Sequence, residues 1–325
     1  MRTVRNSYRA LILLICLVLC EHWGMAQPAP SEHPLARLYL DNQTYLPTVD
    51  SALSRAQARL SELIHWKLTY KPDLYVVGDL DRFTELIGGK FPDWGAAAAI
   101  PSRQRIVIKS PDRFPLQRSL PELVAHEYSH LVLADRMGIR EAPRWLDEGM
   151  AMYVSAEWGW TDNLAMSKAA VFRQFVKLSE IDRVNRFNAG KAGVAYSQSF
   201  LAVTYLIDQY GAGPLNLLLD NLAAGQPMDS ALMRSTGALE VEFEKEFQEY
   251  LAKRYNVTSL FMDTIWLWIF LAFVVIVGGF IKFRRRREYY RKWEEQEKLE
   301  STEFEYGPGK AEESDPDEDD EPWRR

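Results

Sequence analysis

His126 and His130 stand four residues apart, with Glu127 beside the first. On a helix, positions i and i+4 share a face, so both imidazoles can reach one metal ion. Glu127 then projects near the open side of that ion, where a base can take a proton from water. A five-residue pattern of this kind arises by chance in roughly one chain per hundred of this length. The surrounding sequence must therefore carry the assignment.

The segment from Pro121 to Leu133 reads as a helix. Ser119 and Glu122 have capping-box spacing, Pro121 suits the first turn, and Gly138 is a natural stop after Met137. Leu120, Leu123, Val124, Leu131 and Val132 give it apolar surface, with the opposite side left to face a cleft.

A catalytic zinc takes three protein ligands and keeps one position open. The only cysteines, Cys16 and Cys20, are close to the N-terminus, and no histidine follows His130. His22, His33 and His65 all lie upstream. A carboxylate is left, and Glu148 in Pro143-Arg-Trp-Leu-Asp-Glu-Gly-Met-Ala-Met-Tyr153 is the best candidate. That stretch reads as a second helix, opened by Pro143. Gly149, next to the glutamate, would let the two metal-binding helices approach closely. Asp147 could orient a ligand, and Trp145 reads as core or cleft wall.

The H-E-x-x-H pattern, followed by W-L-D-E-G-x-A-x-Y, resembles the gluzincin metallopeptidases. It is most similar to the peptidase MA-like group related to aminopeptidase N and thermolysin. The resemblance spans roughly residues 45 to 255 and implies a zincin-like catalytic domain. It implies one zinc ion held by His126, His130 and Glu148, with Glu127 as catalytic base. In one respect the chain departs from the pattern. Thermolysin-like relatives often carry an acidic partner four positions after the ligand glutamate, and here that position is Met152.

Zinc lowers the pKa of water toward neutrality, and Glu127 is placed to take the proton as that water attacks a peptide carbonyl. The oxyanion that forms usually needs a second donor besides the metal. Tyr196, in Gly193-Val-Ala-Tyr-Ser-Gln-Ser-Phe200, is assigned that role. A tyrosine does this in aminopeptidase N-like enzymes, and the group carries a comparable A-Y-x-Q-S segment. A tyrosine packed beneath the metal helices is the competing reading. Tyr153 and Arg144 are lesser candidates.

Upstream, 95–100 and 105–109 are short apolar stretches separated by a turn-like spacer, and they predict a hairpin beside the metal helix. Its edge could accept an extended peptide, and its alanines would leave room for substrate side chains.

The ends of the chain differ from this middle. Arg2, Arg5 and Arg9 precede an apolar run from Ala10 to Cys20, with Gly24-Met25-Ala26 fitting a cleavage pattern, so residues 1–26 read as a signal peptide. From Thr264 to Ile281 an apolar stretch of about 27 Å as a helix matches a bilayer's hydrocarbon thickness. Trp266 and Trp268 open it, and Lys282 and Arg284 to Arg287 close it. Basic residues favour the cytoplasmic side. The expected organisation is an extracytoplasmic, periplasmic or extracellular, domain over 27–258 and a membrane span over 260–281. A charged juxtamembrane segment over 282–300 and an acidic disordered tail over 301–325 complete it.

The net charge of -6 belongs partly to that tail. Membrane lipid and a peptide or protein substrate are the expected partners, with a cytoplasmic partner for the tail and no nucleic acid. The coarse periodicity predicts helices near 48–64 and 80–88 and a strand near 73–77. After the metal helices it predicts helices over 165–184, 197–210, 213–223, 228–235 and 239–255. The fold class is α+β, a small sheet lobe and a helical lobe with the metal between them. The function indicated is a membrane-anchored zinc metallopeptidase. No G-x-M-E-N-like element is present to hold a substrate amino group, which favours an endopeptidase. The alternatives are a catalytically silent zinc protein that binds peptides or scaffolds an envelope complex, and a hydrolase of a non-peptide bond.

Overall fold

Among the described residues, the N-terminal half holds seven strands and α-helices. They are β1 (Ser31–Glu32), β2 (Arg37–Leu40), α1 (Leu46–Ile64), β3 (Asp73–Val77), α2 (Leu80–Ile87), β4 (Ala97–Ile100) and β5 (Arg105–Lys109). The structure, a computed structural model, describes residues 30–89, 95–187 and 189–300. The signal segment expected at 1–26 and the acidic tail expected at 301–325 lie outside the described residues.

The five strands form one sheet in the order β1-β2-β3-β5-β4. The central three run parallel, with Tyr39 opposite Tyr75 and Tyr75 opposite Val107. A parallel sheet needs cover on both faces, and the side-chain alternation supplies it. Leu74, Val76, Ile106 and Ile108 face one core, while Tyr75, Val77 and Val107 face a smaller one with Phe83 and Leu86 of α2. The edge strands β1 and β4 pair antiparallel to their neighbours. β4 and β5 are the expected hairpin, and β4 occupies the sheet edge. The sequence reading missed β1 and β2, whose six residues are too few to establish a period.

The second half is helical: α3 (Leu120–Met137), α4 (Arg144–Ser155), α5 (Trp160–Val171), α6 (Ala189–Tyr210), α7 (Ala212–Ala223), α8 (Met228–Thr236), α9 (Glu240–Arg254) and α10 (Val257–Asp263). α3 lies at the centre. The capping box of Ser119 and Glu122 is formed, and Gly138 caps the C-terminus. Residues on nearly all its sides are buried, because α1 packs on one flank, α4 on another, and β4 and β5 against it. On the side expected to face a cleft, His126 and Glu127 are buried and His130 is half-buried. α4 packs most extensively on α6 and next on α3. One core runs from the sheet through α1 and α3 into α4 to α9.

The helix expected over 165–184 is instead α5, an extended stretch and a 3-10 segment over Leu178–Arg186. Arg173 adopts a left-handed φ of 53° and turns the chain out of helix. Gln198 on α6 then stands in for a missing helical turn. Its side chain accepts from the Val176 N–H at 2.7 Å and donates to the Val176 carbonyl at 2.9 Å. A buried side chain from a later helix fixes that segment, and local periodicity carries no trace of it. Conversely α6 begins eight residues before the expected 197.

A separate unit begins at Thr264. Its helix α11 (Ile265–Glu300) holds an 18-residue window of mean hydropathy 2.3 with none of it buried, so it is long and apolar enough to cross a membrane. It runs unbroken through Arg284 to Arg287 to the end of the charged segment.

Candidate metal centre

α3 presents His126 and His130 one turn apart, with ring centroids 4.9 Å from each other. α4 brings Glu148 opposite them. One donor atom from each of the three residues falls within 4.8 Å of the others. Glu148 Oε2 lies 3.5 Å from His126 Nε2 and 3.9 Å from His130 Nε2. Ligands about 2.0–2.2 Å from one tetrahedral ion lie roughly 3.4 Å apart, so the spacing suits such an ion with little movement.

The outer nitrogens set how the rings present themselves to the cluster. His130 Nδ1 is 2.7 Å from Asp147 Oδ1, and His126 Nδ1 is 2.9 Å from Glu157 Oε1. A carboxylate only accepts, so its charge favours a proton on each Nδ1, through a hydrogen bond at His130 and a close contact without hydrogen-bond alignment at His126, and each neutral ring turns its Nε2 lone pair inward. Two lone pairs and the Glu148 oxygen then converge, an arrangement that needs either a metal or added protons. Without the metal, protons fill the role. Burial works against a charged His126, but interaction with Glu148 and Glu157 outweighs it and pushes the ring up to about 10. Burial likewise opposes a charged Glu148, yet His126, His130 and Arg144 bring its carboxyl down to about 2.

A metal ion bound by this cluster would displace the His126 proton at neutral pH. Binding is therefore expected to release at least one proton per zinc, and the dissociation constant to fall about tenfold per pH unit between pH 6 and 8. Calorimetry in buffers of different protonation enthalpy measures the released protons, and a heat independent of buffer would contradict the expectation.

Arg144, one turn before Glu148, pairs with Glu148 Oε1 at 2.7 Å and leaves Oε2 to the cluster. The guanidinium also interacts with the Tyr196 phenol on α6. The Tyr196 phenol is raised by burial first and by the Glu148 charge second, and Arg144 opposes the shift. The structure thus brings Tyr196 to the Glu148 side of the cluster. Glu127 is buried against the two histidines, and burial raises its carboxyl above the usual range. The backbone of Ala99 in edge strand β4 touches it and partly offsets that shift.

Trp145 is core, packed near Phe243, and Tyr153 packs near Phe200. Gly149 serves a different contact from the one expected. A Cβ there would meet Ser199 of α6, so the close approach joins α4 to α6 rather than the two metal-binding helices. Glu157 and Arg118 were missed by sequence reasoning. Arg118 Nη1 lies 2.8 Å from Glu157 Oε2. Met152, where the resembled pattern has an acid, is buried in the core. The only sequence signal for Glu157 was the absence of that acid, with nothing to say what replaced it.

A model of the Peptidase MA superfamily matches residues 54–253, more than half of the chain, and its span contains all of these residues. The chain belongs to the Peptidase MA superfamily. No curated protein matches it. Within that superfamily the His126-His130-Glu148 cluster is compatible with a bound metal ion, and the protein is metallopeptidase-like. The long apolar helix α11 suggests a membrane anchor.

Proposed function

We propose that this protein is a zinc-dependent endopeptidase, anchored by α11, that hydrolyses peptide bonds outside the cytoplasm. The observation that carries the reading is the inward convergence of two Nε2 atoms and one Glu148 oxygen, with Glu127 buried against them. His126, His130 and Glu148 would hold the ion. The absence of a cysteine and of a fourth protein ligand among the described residues near the cluster fits a catalytic site better than a structural one.

A bound zinc would polarise the scissile carbonyl and lower the pKa of water toward neutrality. Glu127 accepts the proton of the attacking water as the new C–O bond forms. Its burial favours the protonated form, so it holds that proton and passes it to the amine as the C–N bond breaks. Tyr196 donates its phenolic hydrogen to the developing oxyanion, with Arg144 fixing both the phenol and Glu148. The zincin-like element is the outer edge of β4, at the end of the sheet next to α3. An extended substrate would add to that edge, where Ala97 to Ala99 leave space.

Tyr196→Phe keeps the ring and removes the donor. Its kcat is expected to fall about 10²–10³-fold with little change in KM, and full turnover would eliminate the assignment. The domain arrangement belongs to the same proposal: 1–26 a signal peptide, 27–258 outside, the 260–281 span, and the 282–300 and 301–325 segments inside. The basic residues directly after the span support that sidedness.

The full chain in detergent, incubated with a peptide library, tests the function. Internal cleavages that a chelator stops and added zinc restores are expected. A library left intact under all conditions would sink the peptidase reading.

A further inference from the structure

We propose that Glu157, locked by Arg118, is a positioning residue that fixes the His126 imidazole for metal binding. The proposal rests on the zinc-site reading above. Glu157 is 3% exposed in its side chain, and its two oxygens face two different cations or donors. Oε1 is 2.9 Å from His126 Nδ1 and Oε2 is 2.8 Å from Arg118 Nη1. The histidine contact is close without being aligned as a linear hydrogen bond.

A simple structural ion pair would look different. Arg118 is 38% exposed and could meet a carboxylate at the surface at little cost. Here the carboxylate is buried, which is unfavourable unless opposite charge compensates it. It sits where its charge holds a proton on Nδ1 and frees Nε2 for the cluster. Asp147 does the same for His130, but from the residue next to the ligand Glu148. Glu157 comes from beyond the end of α4. The chain leaves that helix through Ala156, whose left-handed φ of 58° is disfavoured for an alanine. That turn returns Glu157 to the metal cluster.

Arg118 immediately precedes Ser119, the cap of α3. The Arg118–Glu157–His126 chain therefore ties the start of the helix carrying two ligands to the exit of the helix carrying the third. In effect Glu157 replaces the acid that position 152 lacks, from a different place in the sequence. Carboxylate partners of metal-bound histidine typically change metal affinity about 10–100-fold.

The test uses the full chain in detergent, stripped of metal and titrated with zinc against a chromophoric chelator. Glu157→Gln removes the charge and keeps the volume. It is expected to weaken zinc binding about 10–100-fold and to shift the visible absorption bands of the cobalt-loaded protein. A purely structural role would leave those bands in place once folding is matched by thermal unfolding. Arg118→Gln, at a half-exposed site, is expected to weaken binding about 3–10-fold, and it decides the matter if Glu157→Gln does not fold. Unchanged affinity and superimposable cobalt spectra overturn the proposal while leaving the zinc site standing. A wild-type chain that takes up no zinc overturns both.

Discussion

Glu127→Gln should lower peptide hydrolysis by about 10²–10⁴-fold while the protein binds zinc as tightly as before. The substitution keeps the shape of a side chain buried against His126 and His130. It removes the carboxylate that takes the proton from water, and it removes no ligand. Binding and turnover therefore separate. Substrate binding should survive, so the loss should appear in kcat with KM little changed. Neutralising a carboxylate that burial already disfavours should leave the fold at least as stable, measured by thermal unfolding. A Glu127→Gln protein with turnover near wild type would remove Glu127 from the chemistry.

Gly149→Ala should damage the fold and the site together. An ideal Cβ at this position lies 2.2 Å from the Ser199 carbonyl oxygen and 2.7 Å from Val203 Cγ2. Val203 can rotate, but the Ser199 backbone cannot yield unless α6 moves. Overpacking of this kind costs about 3 kcal/mol, or roughly 6–12 °C in unfolding midpoint for a domain of this size. α4 carries Glu148 and α6 carries Tyr196, so pushing the helices apart also separates ligand from donor. Gly193→Ala on α6 is the control, since nothing lies within 4 Å of a Cβ there. It should hold or raise stability by up to about 1 kcal/mol. Equal midpoints for the two variants would refute the packing argument.

The part of the site that lies in one or two helices is legible in the amino-acid sequence. His126, His130 and Glu127 follow from helical spacing, and the capping box fixes where that helix begins. Glu148 followed from counting histidines and cysteines. Its helix could be read because Pro143 opens it. The hairpin that puts Ala99 beside Glu127 was visible from two apolar runs around a turn. What could not be read depends on contacts between distant segments. Glu157 reaches His126 only because Ala156 adopts a left-handed turn, and no propensity rule requires alanine to do so. The extended stretch at Val176 exists because Gln198, 22 residues later, satisfies its backbone. The partner of Gly149 was misjudged for the same reason: a glycine announces a close approach without naming the surface that approaches. β2 was too short for periodicity, and its four residues become a strand by pairing with β3.

The central claim is that His126, His130 and Glu148 hold one zinc. Zinc-edge X-ray absorption on the purified full chain, with elemental analysis of the same sample, tests it most directly. One zinc per chain is expected, with two imidazoles and only nitrogen or oxygen neighbours at about 2.0–2.2 Å, and with the metal lost in Glu148→Ala. A chain without stoichiometric zinc, or one that keeps it after Glu148→Ala, would contradict the account.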